Sequence, residues 1–448
     1  MSYAAAIEQL NAMVPELYTG TGQPRRKFSL EEMRILLREL GDPQRRFKSV
    51  LIAGTNGKGS TAATLASILT AAGLRTGLYT SPHLEKPNER IRLSNTGIAS
   101  AEIADSDFAR LFFLVLDKAR QLTKDGRLPQ MPSYFEILTA QAFLYFAEAG
   151  TEIAVLEVGM GGRLDATNVV DPLLAVITDI SLDHMEWLGS TIDAIAREKA
   201  GILRRGGTMV TLPQHPEANR ALGEVATELD VRGVSAVASM PAGEAGAAHS
   251  YLVEALGTSI EVDSPLVGAH QQRNLALAIA AAVELATEHG IPVTATAIAE
   301  GIKQTRWPGR LERIVRDGEE WILDVAHNPA GVWALRAGLR GLLGDREPRV
   351  LVFSCLRDKP AAEMAQILFP LFKQVIVAPI HAARAAAVED LLAAAKTTGT
   401  AAMAVGSVSE ALKEARELAE GGAIVVSGSV YLVGEARSLL LAEKGVEA

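Results

Sequence analysis

Residues 54–60 have the sequence GTNGKGS, a glycine-rich motif with one lysine. The apolar segment before it, Val50–Ile52, predicts a buried strand, and the segment after it, Thr61–Leu69, predicts a helix. Glycines in such a turn let backbone N–H groups converge on an anion, and the helix N-terminus adds partial positive charge. The stretch therefore predicts a phosphate-binding loop between a strand and a helix.

Lys58 and Ser60 are the residues of this loop whose side chains suit a nucleotide. A lysine in such a loop reaches the terminal phosphates, and a hydroxyl that follows it contacts Mg²⁺. The usual nucleotide loop has Ser or Thr directly after the lysine, whereas Gly59 intervenes here. The alternative is an ordinary glycine-rich turn, but the strand, the lysine and the helix together favour phosphate binding.

Composition limits the class of protein. The chain has 448 residues, enough for two or three domains, and 48% of them are apolar, as in a globular protein. Its net charge of −9 argues against binding to nucleic acid or to a membrane surface by charge. Cys355 is the single cysteine, so no disulfide forms within the chain. No signal peptide or membrane-spanning stretch is evident, and we expect a cytoplasmic protein that works as a monomer.

Polar residues at strand ends are the next candidates for a site. Thr76–Thr80 predicts a strand that leads into Ser81, and Ile153–Glu157 predicts a buried strand that stops on a carboxylate. In a nucleotide-binding sheet, an acid at this place is the usual second partner of Mg²⁺. A carboxylate that faces water is the alternative, and the neighbouring Gly159 and Gly161 disfavour it.

Lys199 lies within the apolar stripe of a helix predicted over Thr191–Leu203. A lysine in such a stripe either extends its amine to water or is buried with a lowered pKa. A buried neutral amine can react with CO₂ to give a carbamate, an acid able to ligate a metal. The residues alone favour extension to water.

Two further helix starts carry two interpretations each. Ser133–Glu136 opens a predicted helix that runs to Ala149, and it is equally well a capping box or part of a site. Gly268–Asn274 opens a helix that continues to about His289. Its polar residues either cap that helix or face a nucleotide.

A domain boundary is predicted at Trp307–Arg310, which divides the chain into residues 1–306 and residues 307–448. Strands and helices alternate over residues 311–441, and this pattern predicts a second doubly wound unit. The predicted fold class is therefore α/β. It comprises an N-terminal P-loop-type nucleotide-binding domain and a smaller C-terminal Rossmann-like, doubly wound domain.

Seven motifs occur in one order along nearly the whole chain. They are GTNGKGS at 54–60, SPHL at 81–84, EVGMGGRLDATN at 157–168, Asp183-His184, REKAG at 197–201, Pro308–Arg310 and Asp324–Pro329. This combination resembles the folylpolyglutamate synthase family of the Mur ligase superfamily, in particular its bifunctional dihydrofolate synthase/folylpolyglutamate synthase branch. Two positions depart from the family pattern: Ala269 replaces a common Gln, and Pro360 replaces a common Asp after Asp358-Lys359.

The resemblance implies an ATP-dependent ligase that adds L-glutamate to dihydropteroate and to folyl(poly)glutamates. ATP would phosphorylate the acceptor carboxylate, and the amine of glutamate would displace phosphate from the acyl phosphate. Backbone N–H groups, Lys58 and Mg²⁺ suit this chemistry because they position phosphates and neutralise spreading charge. Two alternatives stay open: another Mur-type amino-acid ligase acting on a cell-wall or other carboxylate, and a nucleotide-regulated binding protein without ligase activity.

The resemblance also implies roles for individual residues. ATP would be bound by Thr55, Asn56, Gly57, Lys58, Gly59, Ser60, Asn274, Arg310, Asp324 and His327. Two Mg²⁺ ions would be held by Ser81, Glu157, His184, the weaker candidate Ser60, and Lys199 as a carbamate. The acceptor would contact Lys27, Phe28, Ser29, Ser133, Tyr134, Phe135, Glu136, Leu164, Asp165 and Ala166. The catalytic residues would be Lys58, Lys199 and His184.

Overall fold

The computed structural model describes residues 2–13, 29–94, 100–242, 250–316, 318–344 and 346–442. Lys27 and Phe28, which the resemblance assigns to the acceptor, lie outside these ranges. Two large sheets form the framework of the described chain, with helices on both faces of each. The first sheet with its helices is called the first unit, and the second sheet with its helices and the loop that leads into it is called the second unit. They confirm the predicted α/β class.

The first sheet has eight strands in the order β4-β3-β2-β5-β1-β6-β7-β8. Its strands are β1 Lys48–Ala53, β2 Thr76–Tyr79, β3 Ile91–Leu93, β4 Ala101–Glu102, β5 Ile153–Glu157, β6 Leu174–Ile177, β7 Thr208–Thr211 and β8 Arg232–Ser235. All pairs are parallel except β2–β3 and β3–β4. The central strands are buried along nearly their whole length because both of their faces are covered.

Within the described ranges, ten α-helices and one hairpin accompany this sheet. The helices are α1 Tyr3–Ala12, α2 Leu30–Glu39, α3 Lys58–Ala71, α4 Asp105–Lys124, α5 Tyr134–Glu148, α6 Met185–Leu188, α7 Ile192–Ala200, α8 Pro216–Glu228, α9 Ala269–His289 and α10 Ala295–Gln304. The hairpin is β9 Ser250–Ala255 with β10 Thr258–Asp263. Leu51 belongs to the core on one face, and Val50 and Ile52 belong to the core on the other, as the alternation of a strand requires.

The second sheet has six strands in the order β11-β12-β16-β13-β14-β15. Its strands are β11 Glu312–Arg316, β12 Glu319–Asp324, β13 Arg349–Phe353, β14 Gln374–Val377, β15 Ala401–Ala404 and β16 Ala423–Ser427. Its helices are α11 Pro329–Leu343, α12 Ala361–Leu368, α13 Val388–Thr398, α14 Val408–Ala419 and α15 Val430–Ala442. Only β11 runs antiparallel to its neighbour, so this unit is doubly wound as predicted, and Cys355 lies buried in its core.

Element boundaries differ from the prediction at three places. The sequence pattern predicts a helix over about Glu102–Thr123. The helix begins instead at Asp105, because Ala101–Glu102 pairs with β3 as an edge strand. α7 ends at Ala200, before Gly201, a residue with low helix propensity. β15 was not predicted, since its four residues include three alanines and no β-branched side chain. The domain division at 306/307 stays a prediction.

Among the described residues, no helix has the length and apolarity that crossing a membrane requires. α9 carries the longest apolar stretch, yet Glu284 lies within it. The helix packs instead in the core on one face of the first sheet, together with α3 and α10. Its apolar character therefore follows from burial inside the protein.

We expect Gly301→Ala to destabilise the first unit, because a Cβ at Gly301 would lie 2.4 Å from Cα of Ile68 at the contact of α10 with α3. Overpacking of this kind costs about 1–3 kcal/mol of unfolding free energy. Thermal unfolding should show a lower midpoint for this variant. Gly223→Ala is the matched control, since a Cβ at this position of α8 meets nothing within 4 Å. A fall as large in the control would contradict the assignment.

Candidate functional site

The candidate site lies where four neighbouring strands of the first sheet end. β2, β5, β1 and β6 pair in parallel in that order, so their carboxyl ends meet at one edge. The polar and loop residues at or just beyond these ends are Ser81, Glu157, Gly54 and Asp179. Ligands of open α/β sheets bind at this edge.

A cavity of about 340 Å³ opens at this edge and is lined by residues of both units. Every residue predicted to bind ATP or Mg²⁺ lines it: Thr55, Asn56, Gly57, Lys58, Gly59, Ser60, Ser81, Glu157, His184, Lys199, Asn274, Arg310, Asp324 and His327. From the second unit, α11 adds Ala330, Gly331, Ala334 and Leu335 to the lining. The fold therefore brings together two sets of residues that are far apart in the sequence.

The phosphate loop is held in place by the exit of β6. The N–H groups of Thr55 and Asn56 donate to the carbonyl oxygen of Asp179 at 2.9 and 3.1 Å. Gly57 has a φ of +87°, and a Cβ there would lie 2.1 Å from Oδ1 of Asn274, so only glycine fits. α3 begins at Lys58, which leaves the first N–H groups of this helix without an intrahelical partner. This is an anion-binding arrangement.

The carboxylate of Asp179 fixes α9 against the same loop. Arg273 donates to both oxygens of this carboxylate, with Nη2–Oδ1 at 2.6 Å and Nε–Oδ2 at 2.8 Å. Because Asn274 is the next residue, the ion pair also places Asn274 beside Gly57. Sequence reasoning missed this pair, since its members are 94 residues apart and no local pattern links them.

Glu157 is buried at the end of β5, so the alternative of a carboxylate facing water is wrong. One of its oxygens accepts the backbone N–H of Ser81 at 3.1 Å. Burial raises the pKa of Glu157, and the charges of Lys58 and Arg310 oppose that shift. A buried carboxylate beside a hydroxyl has the donor chemistry that Mg²⁺ prefers. Within the described ranges, no group of three or more His, Cys, Asp or Glu side chains lies close enough together to hold a metal ion.

Lys199 is buried in α7, and its Nζ donates to the carbonyl oxygen of Gly54 at 2.7 Å. The extension to water that the residues alone favoured is therefore wrong. Burial and the nearby charge of Lys58 lower the pKa of Lys199 to about 7, whereas Asp183 and Asp165 oppose this shift. A large share of the amine is therefore neutral near pH 7, as carbamate formation requires.

Asp183 joins the two units through a buried ion pair that the sequence did not reveal. Its carboxylate accepts Nζ of Lys359 at 2.7 Å and Nδ2 of Asn328 at 3.1 Å, and the same amide of Asn328 donates to Oδ1 of Asn56 at 3.1 Å. Burial alone would raise the pKa of Asp183, but the charges of His184 and Lys359 hold it well below its usual range. Asn328 also caps α11, because its side-chain Oδ1 accepts the N–H of Gly331 at 2.8 Å.

His184 follows Asp183 with a φ of +49°, a left-handed conformation that is uncommon for residues other than glycine. Burial lowers the pKa of His184 to about 4, although Asp183 opposes this shift. The imidazole is therefore neutral at pH 7 and can offer a nitrogen lone pair to a metal ion. His327 approaches the same carboxylate from the second unit, with Nε2 3.8 Å from Oδ2 of Asp183.

Arg310 and Asp324 line the cavity from the start of the second unit. Asp324 ends β12, and its carboxylate accepts the N–H groups of Leu311 and Ala326, both at 2.9 Å. Burial raises the pKa of Asp324, while His270 and Arg310 oppose the shift. This carboxylate therefore orders the chain around Arg310, whose guanidinium is available to an anion in the cavity.

The residues assigned to the acceptor form a separate group. Of the described members, namely Ser29, Ser133, Tyr134, Phe135, Glu136, Leu164, Asp165 and Ala166, none lines the 340 Å³ cavity. Ser133 and Glu136 form the capping box, with the Ser133 hydroxyl and N–H both 2.7 Å from Oε2 of Glu136. The ring of Phe135 lies directly against Gly159, where a Cβ would be 2.6 Å from it. Through Gly159, the ring of Phe135 borders the cavity without entering it.

Asp165 and Tyr134 support the neighbouring surface. Asp165 is buried and accepts the N–H groups of Met160 at 3.0 Å and Thr167 at 2.9 Å, which orders the glycine-rich loop after Glu157. The guanidinium of Arg90 lies 5.2 Å from the ring centre of Tyr134. Arg90, which sequence reasoning had not singled out, therefore lies beside one of the residues assigned to the acceptor.

Comparison with known proteins agrees with this geometry. Residues 52–282 match the Mur ligase middle domain, and residues 309–430 match the Mur ligase, glutamate ligase domain. The fold and the site thus define a ligase of the Mur type. The chain is 34% identical to the folylpolyglutamate synthase of Lacticaseibacillus casei, over 99% of this chain and 100% of that protein. It therefore belongs to the folylpolyglutamate synthase family, in which dihydrofolate synthase/folylpolyglutamate synthases are also found.

Two solved structures that resemble this chain are complexes with ligands. The Mycobacterium tuberculosis folylpolyglutamate synthase complexed with ADP and AMPPCP superposes with a TM-score of 0.86, 33% identity, and coverage of 98% of this chain and 99% of that one. The Escherichia coli FolC in complex with DHPP and ADP gives a TM-score of 0.82, 30% identity and 99% coverage of both chains. Another relative, the Mycobacterium tuberculosis dihydrofolate synthase/folylpolyglutamate synthase, is 36% identical over 92% of this chain and 90% of its own length.

We expect Lys359→Met to destabilise the protein, because it leaves the carboxylate of Asp183 buried without its main cation. Removing one partner of a buried ion pair costs about 3 kcal/mol or more of unfolding free energy. Thermal unfolding at pH 7 measures the effect. Lys413→Met is the control, since the side chain of Lys413 is 75% exposed and its ion pair with Glu417 measures 3.9 Å. Equal, small shifts in both variants would show that the pair does not join the units.

Proposed function

We propose that this chain joins L-glutamate to dihydropteroate and to folyl(poly)glutamates, using ATP and an acyl-phosphate intermediate. One observation carries the proposal: a single cavity unites the phosphate loop, Glu157, His184 and Lys199 of the first unit with Arg310 of the second. Family membership supports the choice of substrates, since the relatives carry the names of both activities.

Nucleotide binding is assigned to the loop and to the facing wall of the second unit. Gly57 to Ser60 supply backbone N–H groups, and Lys58 reaches the terminal phosphates. Thr55 and Asn56, whose own N–H groups donate to Asp179, shape the loop beside the nucleotide. Asn274 supports the loop, while Arg310, ordered by Asp324, approaches the nucleotide from the other side. Such a clamp acts mainly by positioning phosphates and neutralising charge in the transition state.

Several side chains that line the cavity have donor atoms that suit Mg²⁺. The hydroxyl of Ser81, the carboxylate of Glu157 and the neutral imidazole of His184 would hold one ion, with Ser60 as a further oxygen donor. Lys199 as a carbamate would hold the second. When bound, the ions neutralise phosphate charge and orient the terminal phosphate toward the acceptor.

The acceptor carboxylate attacks the terminal phosphate, ADP leaves, and the amine of glutamate then displaces phosphate from the acyl group. Lys58 and the start of α3 stabilise the charge that develops on the transferred group. We assign the ring system of the acceptor to the surface of Tyr134, Phe135 and Leu164–Ala166, together with Lys27–Ser29. The chain is proposed to act as a monomer, because both walls of the cavity come from one copy.

ADP release tests the function directly. Wild-type protein with ATP, Mg²⁺ and L-glutamate should release ADP when dihydropteroate or tetrahydrofolate is added, and should release little with neither. EDTA and Lys58→Ala should each abolish the stimulated rate. Release that neither folate acceptor stimulates would remove the proposed function. Release with a cell-wall precursor alone would favour the other Mur-type ligase.

Lys199→Ala should lower the stimulated rate about 100-fold or more, because the negative group proposed to hold the second Mg²⁺ is lost. Added formate or acetate should restore part of the rate by occupying the space of the carbamate. Lys303→Ala serves as the control, since that lysine is 65% exposed and forms a surface ion pair. Full activity of Lys199→Ala without any added acid would rule out the carbamate.

A further inference from the structure

The segment Ser81–Lys86, which follows β2, is a turn held by one carboxylate. Glu89 accepts the N–H groups of Leu84 at 2.8 Å, Glu85 at 2.7 Å and Lys86 at 2.8 Å. At its start, the N–H of Ser81 donates to Glu157. The segment is therefore well ordered and connects directly to the Ser81–Glu157 end of the cavity.

The second unit packs against the outer side of this segment. A Cβ at Gly434 of α15 would lie 1.9 Å from the carbonyl oxygen of Leu84, so the helix backbone touches the turn. The side chain of Leu84 packs against the core that α15 forms with the second sheet, which includes Val433. Any residue other than glycine at position 434 would push the helix and the turn apart.

An ion pair next to this contact also joins α15 to the segment Ser81–Lys86. Arg437 lies one turn further along α15, and its Nε contacts both oxygens of Glu312 at 3.0 Å within the second unit. Its Nη1 donates across to Oε1 of Glu85 at 2.5 Å. Because Glu312 fixes the guanidinium, Arg437 is already oriented toward the turn of the other unit.

We propose that Gly434 and Arg437 are positioning residues, through which α15 seats the segment Ser81–Lys86 and so places Ser81 beside Glu157. Metal binding by Ser81 and Glu157 then depends on the contact between the two units. The proposal rests on the proposed Mg²⁺ role of Ser81 and Glu157. Most of α15 follows residue 430, where the match to the glutamate ligase domain ends.

Two variants break this contact without touching the cavity lining. Gly434→Ala inserts a methyl group between α15 and Leu84, and Glu85→Lys replaces attraction to Arg437 with repulsion. Gly341→Ala is the control for the first, since a Cβ there meets nothing within 4 Å. Glu148→Lys is the control for the second, because the ion pair of Glu148 with Arg110 lies within the first unit, so the same charge reversal leaves the contact with α15 in place.

Hydrogen exchange of the full-length protein gives the first measurement. Both variants should exchange the amides of residues 82–90 at least about fivefold faster than wild type, which corresponds to a coupling of about 1 kcal/mol. The controls should leave this peptide unchanged. Glu85→Lys carries the test if Gly434→Ala fails to fold, since Glu85 lies at the surface.

Stabilisation by the non-hydrolysable nucleotide AMPPCP gives the second measurement. Thermal unfolding with AMPPCP is followed over a series of Mg²⁺ concentrations and in EDTA. Both variants should need about fivefold more Mg²⁺ for the half-maximal rise in unfolding temperature, while the rise in EDTA stays as in wild type. An unchanged Mg²⁺ requirement in both variants overturns the proposal. This readout needs no ligase activity, so an inactive wild type would reject the proposed function and leave this result standing.

Discussion

The parallel pairing of β2, β5, β1 and β6 is the constraint on which the site depends. Its register opposes Tyr79 to Leu156, Glu157 to Ile52 and Ala53 to Ile177, so the four strands end within about two residues of each other. A slip by one residue would turn every side chain to the opposite face of the sheet. The close fit of the apolar residues on both faces therefore also fixes the positions of the phosphate loop and of Glu157.

Burial sets the electrostatics of the cavity. It raises the pKa of Glu157 and lowers that of Lys199, so each group is less stable in its charged form than in water. A divalent cation beside Glu157 would offset this cost for the carboxylate. The same desolvation strengthens the interaction of Lys58 and Arg310 with any anion that enters. The site is thus poised for phosphates and metal ions.

Much of the site was predictable because its residues lie in local patterns. The strand, glycine turn and helix around Lys58, and the carboxylate at the end of β5, are visible within a few residues of sequence. Local patterns could not decide whether Lys199 was buried, because that depends on Gly54, 145 residues away. The Asp183–Lys359 pair spans 176 residues and joins two units, so no local sequence pattern around either residue predicts the pair.

Cys355 gives the chain a natural reporter group. It is the single cysteine, its side chain is fully buried in the core of the second unit, and burial raises the pKa of its thiol to about 12. Thiolate, the form that reacts with alkylating reagents, is therefore nearly absent while that unit stays folded. The rate of alkylation would therefore report the opening of the glutamate ligase domain alone, without any engineered label. The nucleotide-binding half of the same chain would not contribute to the signal.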